Sequence, residues 1–283
     1  MHLDTLISEV SDIPPAPQVL PRLQAILRDP DSDMTDVVAF LKVDVSLSTT
    51  VLRFANSSYF AGSTSADGLE EAIQRIGFRE INRLVSMASS KGILDRALPV
   101  YNAKEGELFE TSLACAQIMH ALGGALEPGK TDSYYTTGLL HGIGKIVINQ
   151  YFKSHGLSLY GGHDGTTESM EEISPDFENR VLGFNHADAG ATLLAKWQFS
   201  PEITEPIRFQ HRPAEAPVLP ARAHCLHLAN AAAPVFREAG GSFPDSPLPS
   251  GADEAPGLDP ESLQALLETA FAEFQDLRRM LAG

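Results

Sequence analysis

The chain has 283 residues, enough to bury a sizeable core in one large domain or two small ones. Acids outnumber bases 37 to 21, a formal charge of −16, which argues against nucleic-acid binding because that affinity comes from Lys and Arg set against phosphates. No stretch approaches the roughly 20 apolar residues of a membrane helix, the start lacks the basic residues of a signal peptide, and Cys115 and Cys225 have no paired spacing, so a soluble, cytoplasmic protein with buried free thiols is expected.

In chain order the periodicity is helical. Val19, Leu20, Leu23, Ile26 and Leu27 make one stripe, which Asp29-Pro30 stops. A second helix carries Met34, Val37, Val38 and Leu41. A third follows Asp44 with Leu47, Val51 and Leu52 inward and ends near "ANSSYF", where Asn56 is a candidate left-handed stop and Tyr59 and Phe60 enter the core. Further helices are predicted at about 69–76, 78–91, 105–123, 133–152, 178–197, 201–211, 219–237 and 260–281. Runs that alternate as strands do are hard to find, so an all-α bundle is expected.

Residues 95–105 mark a boundary between an N-terminal helical lobe and a second lobe that holds most of the histidines. Residues 154–176 form a long Gly- and Ser-rich loop, in which "YGGHDG" lacks the Lys-Ser/Thr ending of a phosphate loop. Residues 238–260 read as a flexible linker. The last helix, 261–281, has Leu263, Leu267, Phe271 and Phe274 on one apolar face, which either packs back on the body or joins two copies in a homodimer.

The histidines stand out within this helical frame. His141, in "TTGLLHGIGK", shares its helix face with Gly138, Gly144 and Lys145, which directs it into a crevice between helices. His186 sits among small residues in "GFNHADAGA". His211 ends a helix before a proline, and His224, His227 and Asn230 are spaced i, i+3, i+6. No carboxylate shares these faces, and Asp188, two residues from His186, points elsewhere. Lys145 and Arg208 are the cations that could meet an anionic ligand in the crevice. Gly142 and Gly144 inside a helix each cost about 1 kcal/mol relative to alanine, which suggests close backbone packing.

The stretches "IPPAPQVLPRLQAILRDPDSDM", "FLKVDVSLSTTVLRFANSSYF", "LEEAIQRIGFREINRLV", "TTGLLHGIGKIVI", "LGFNHADAGATLLAKWQFSPEITEPIRFQHRP" and "HLANAA" together resemble the HDOD domain, a bacterial relative of HD-type metal-dependent phosphohydrolases. The resemblance spans about 13–233, with an N-terminal lobe at about 13–95 and an HD-like lobe at about 105–233. It implies an all-helical domain of signalling and regulatory proteins. Carried over residue by residue, the first metal histidine of active HD enzymes falls on Thr111. The His-Asp pair falls on His141 and Gly142, and the next histidine is His186. The later His-His pair becomes Gln210 and His211, and the last acid becomes Asn230. The metal set is thus reduced to His141, His186 and His211, with His227 nearby. Such a set could hold a transition metal, although none is required. The resemblance therefore implies a pseudoenzyme: a signal-transduction module that works through contacts with signalling proteins, with a small ligand or metal in the degenerate pocket. The alternative is a divergent metal-dependent phosphodiesterase using the remaining histidines.

Overall fold

A computed structural model describes residues 32–57, 60, 65–155, 173–248 and 257–282, with isolated positions nearer the N-terminus. The stripe at Val19 and Leu20, Tyr59, the "YGGHDG" segment with most of its loop, and residues 249–256 of the expected linker lie outside the described residues. Among the described residues the regular elements are helices, apart from an isolated antiparallel bridge between Leu98 and Ala103. The all-α expectation holds.

Helix α1 (Met34–Lys42) starts on a capping box in which Asp33 accepts from the Thr35 and Asp36 amides. The Asp44 side chain caps α2 (Val45–Ala55) by accepting from the Ser46 and Leu47 amides, and the two helices bury Val37, Val38, Leu41, Leu47, Val51 and Phe54. Asn56 closes α2 at φ −97°, not in the left-handed region expected of it. Its side-chain amide does the work instead, bonding both the N–H and the C=O of Ala66. Helices α3 (Leu69–Ile76) and α4 (Phe78–Leu94) complete the N-terminal lobe.

A 3-10 turn at Pro99–Tyr101 leads into α5 (Glu107–Leu126), the central helix of the body. Its run Leu113–Met119 is fully buried, because neighbours cover it on several sides. Helix α4 lies antiparallel along it: Arg83 bonds Gln117 near one end, and Lys91 stands 5.8 Å from the Phe109 ring near the other. At the far end of α5, Glu127 takes two hydrogen bonds from Arg222, at 2.6 and 2.9 Å, and one from Tyr134. That clamp fixes the start of α11 (Pro220–Glu238) against the end of α5.

Two expected helices are each broken in two. The segment 133–152 divides into α6 (Thr131–Leu140) and α7 (Ile143–Ser154), with His141 and Gly142 at the joint and Gly142 at φ −89°, ψ 0°. Gly142 is therefore a cap, and the cost of a glycine inside a helix does not apply to it. The segment 178–197 divides into α8 (Pro175–Leu182) and α9 (His186–Lys196). Gly183 ends α8 at φ 83°, a conformation that disfavours side chains, and Asn185 starts α9 with a capping box to Asp188. His186 is thus the first residue of its helix. Helix α10 (Pro201–Arg208) ends three residues before His211.

The last helix, α12 (Pro260–Ala282), packs back on the body. Leu263, Leu267, Ala270, Phe271, Phe274 and Leu277 are buried. Phe271 meets Phe236 and Phe243 edge-on at 5.2 and 5.6 Å. Its apolar face is already covered within one chain.

Candidate functional site

The break between α6 and α7 decides how His141 is presented. It is 2% exposed, and its Nδ1–H donates to the Gly138 carbonyl at 2.7 Å. A carbonyl only accepts, so the proton sits on Nδ1. Burial pushes the imidazole down to about 4, so it is neutral near pH 7. Gln210 is fully buried behind it: its side-chain N–H groups donate to the His141 and Ile207 carbonyls at 3.1 Å, and its Oε1 accepts from Asn230 at 3.3 Å. Residues 141, 210 and 230 therefore form one interlocked floor.

His141, Thr111, Lys145 and Asn230, all singled out from the sequence, line a single cleft of about 450 Å3. Its remaining polar lining is Tyr101, Asn102, Glu107 and Arg237. Thr111 Oγ1 donates to the Glu107 carbonyl at 2.8 Å and accepts from Arg237 at 3.5 Å. Lys145 Nζ stands 5.7 Å from the Tyr101 ring centroid. Beside the cleft Gly142 opens no space for a ligand: a Cβ there would sit 2.7 Å from Leu108 Cδ1, so leucine occupies the position toward which an aspartate would project.

His186 and His211 form a second group. Both oxygens of Glu178, itself 0% exposed, are engaged: Oε2 accepts from the His186 amide at 2.6 Å and from His186 Nδ1 at 2.8 Å, and Oε1 accepts from Tyr101 at 2.6 Å. Burial alone would raise Glu178, but His186 and Tyr101 hold it below the usual carboxylate value. Burial also keeps His186 neutral despite this carboxylate. With its proton on Nδ1, its Nε2 accepts from His211 Nε2–H at 3.0 Å. Burial, with the neighbouring imidazoles and Lys145, pushes His211 down to about 2.

The other candidates face elsewhere. Arg208 pairs with Asp188 at 3.3 Å and bonds Thr192 at 3.0 Å, and it does not line the cleft. Asp188 bonds Arg208 and accepts from the Asn185 amide. His227 uses Nδ1 to bond the Gln210 carbonyl at 2.8 Å. The sequence reading missed Tyr101, Glu178 and Arg237. Tyr101 lies in a segment read as a boundary, Glu178 looks like an ordinary first-turn acid, and Arg237 looks like an ordinary last-turn base. None carried a pattern that could have marked it.

Among the described residues no three of His, Cys, Asp and Glu converge as a metal centre would require. The two Nε2 atoms of His186 and His211 are closer than the roughly 3.3 Å separating two imidazoles on a tetrahedral metal with ordinary bond lengths. With Gly142, Thr111 and Asn230 in place of ligands, the two-metal centre of HD enzymes does not fit these residues.

The chain matches the HDOD domain model over residues 13–213. An HDOD domain protein of unknown function from Geobacter sulfurreducens shares the fold at a TM-score of 0.73 and 20% identity, over 97% of this chain and 95% of that one. A Marinobacter aquaeolei protein provisionally named for signal transduction has a TM-score of 0.68 at 21% identity, over 99% of this chain and 61% of that one. An uncharacterised Treponema pallidum protein is 25% identical over 216 residues, 75% of this chain and 40% of its own length. The chain spans less than half the length of the curated relatives it matches. With the family match covering more than two thirds of its residues, the chain belongs to the HDOD domain family.

Proposed function

We propose that this protein is a non-catalytic signalling or regulatory HDOD module that acts through contacts with other signalling proteins and takes a small ligand in its degenerate pocket. One observation carries the reading. At three of the positions where HD enzymes place a histidine or a carboxylate, this chain has Thr111, Gly142 and Asn230. Thr111 and Asn230 are tied into the cleft walls, and Leu108 fills the space beside Gly142. A carboxylate at these positions would offset metal charge and position a bound hydroxide, and these positions supply none. The test is turnover: a phosphodiester and a phosphomonoester substrate offered with Mg, Mn, Zn, Fe, Co or Ni should remain intact. Metal-dependent hydrolysis abolished by His141→Ala would overturn the reading.

The second reading, a divergent phosphohydrolase with one transition metal, is supported by the carboxylate–histidine–histidine array of Glu178, His186 and His211. A carboxylate behind a histidine commonly orients metal-binding imidazoles. It predicts near-stoichiometric metal in protein purified without added metal, and elemental analysis finding none would remove it.

A further inference from the structure

We propose that the connector between the two lobes, residues 95–106, is a hinged gate on the cleft and that Tyr101 is its latch, released when its hydrogen bond to Glu178 breaks. The gate deepens the reading of the cleft as a regulatory ligand pocket and rests on that reading for its purpose. Its test uses no ligand and no metal, so the two can fail separately.

The connector is closed on itself. Leu98 and Ala103 exchange backbone hydrogen bonds at 2.8 and 3.1 Å, and the Gly106 amide donates to the Asp95 carbonyl at 3.0 Å, which brings the two ends together. A loop whose ends are tied can turn without displacing the helices it joins, α4 and α5. Gly106, at φ 86°, supplies a pivot free of the strain that a side chain would bring there.

Its seat on the body is narrow. One face of the connector, with Leu98, Tyr101, Asn102 and Ala103, walls the cleft of about 450 Å3. The other face, residues 95–99 with Glu105, walls a second cleft of about 560 Å3 toward α7. Leu98 borders both, so the connector is the partition between them. A segment with open volume on both sides has little packing to hold it, which favours local opening. Among the described residues, two hydrogen bonds tie its tip to the body. The Val100 amide donates to Asn149 Oδ1 at 3.1 Å, and the Tyr101 hydroxyl donates to Glu178 Oε1 at 2.6 Å. The second is the stronger, because its acceptor is a carboxylate.

Glu178 also holds His186 through its other oxygen, so releasing the latch touches the histidine pair as well as the cleft wall. Helix α4, the last of the N-terminal lobe, ends at Leu94, directly before the connector. A displacement of that lobe thus reaches the cleft through Tyr101, which is a positioning residue.

Thiol labelling of the full chain carrying Leu98→Cys, with an aromatic disulfide reagent, tests this. Leu98 is 1% exposed with the gate shut, and the native Cys115 and Cys225, both 0% exposed, report unfolding of the body in the same sample. The introduced thiol should react at least about tenfold faster than either, as a local opening allows. Its rate should not change with urea below the unfolding transition, because the opening exposes little surface. Adding Tyr101→Phe should raise that urea-independent rate about tenfold, the usual effect of losing a hydrogen bond to a charged group. Tyr134→Phe, which removes a hydroxyl bonded to Glu127 at the far end of α5, should leave it unchanged. In the native chain, hydrogen exchange of the Val100 amide should show the same urea independence, whatever Leu98→Cys does to folding. A Leu98→Cys thiol that reacts no faster than Cys115 and Cys225, or a Val100 amide that exchanges only together with the amides of α5, would overturn the gate. Tyr101→Phe without effect on the rate, or matched by Tyr134→Phe, would overturn the latch.

Discussion

Gly144 shows how much a single residue decides here. A Cβ at this position would lie 1.8 Å from the His186 carbonyl oxygen and 2.6 Å from the Gly190 amide nitrogen. Both atoms are backbone, so neither can move aside without shifting α9 against α7. Gly144→Ala should therefore destabilise the fold by about 3 kcal/mol or more, at the upper end of overpacking effects, measured by urea denaturation. The same change at Gly142 meets only the flexible end of Leu108 and should cost far less. The spacing of glycines around His141 made close packing legible from the sequence. It did not distinguish the glycine that packs from the glycine that caps, because that depends on the position of a second helix. His120 makes a separate prediction. Burial, with Arg83 nearby, pushes its imidazole down to about 3. The folded form thus binds fewer protons than the unfolded one, whose imidazole titrates near about 6.5. This contribution to stability is complete above that value and is lost as pH falls toward 3. His120→Gln should flatten that decline, giving a thermal midpoint a few degrees less sensitive to acid between pH 7 and pH 4.

Among the elements, α4 carries an unusual face. Asn82, Ser86 and Ser90, one turn apart, are each at most 1% exposed, and Asn82 Oδ1, Ser86 Oγ and Ser90 Oγ have no hydrogen-bond partner among the described residues. Helix α5 adds Gln117 Nε2, which is likewise unpartnered among the described residues. An unpaired buried polar atom costs about 1–3 kcal/mol, so the seam between the N-terminal lobe and the body is weaker than its burial suggests. Ser86→Ala and Ser90→Ala, which replace an unpaired hydroxyl with hydrogen, should each raise stability by about 1 kcal/mol. Equilibrium urea melts check this, and a loss of similar size in both variants would mean that the hydroxyls are satisfied in solution. The helical periodicity of these elements was plain in the sequence. The breaks at 141–142 and 183–185 were not, because an apolar stripe runs on across a joint when both halves pack on the same core. The capping pattern of Asn185 with Asp188 was present in the letters but overridden by the stripe.

Over the whole molecule, the resemblance in sequence and the family match both stop short of α12, yet the fold does not. Helix α12 covers α5 and closes the aromatic group of Phe236, Phe243 and Phe271. Arg83, from the N-terminal lobe, pairs with Glu273 at 2.9 Å, so one helix touches the lobe, the central helix and the end of α11. The amphipathic face was legible in the sequence. Its destination was not, because a stripe of Leu and Phe suits a partner chain as well as the chain's own core. Were α12 only an appendage, substitutions on its apolar face would leave the body's melting unchanged. Phe274 is 0% exposed, and Phe274→Ala should cost about 3–5 kcal/mol, as buried phenylalanines do when truncated. The exposed Glu268→Ala on the opposite face should stay within about 0.5 kcal/mol. The two variants should separate clearly in urea melts followed by circular dichroism. Equal and small effects from both would show that the body folds without α12, leaving that face for another chain.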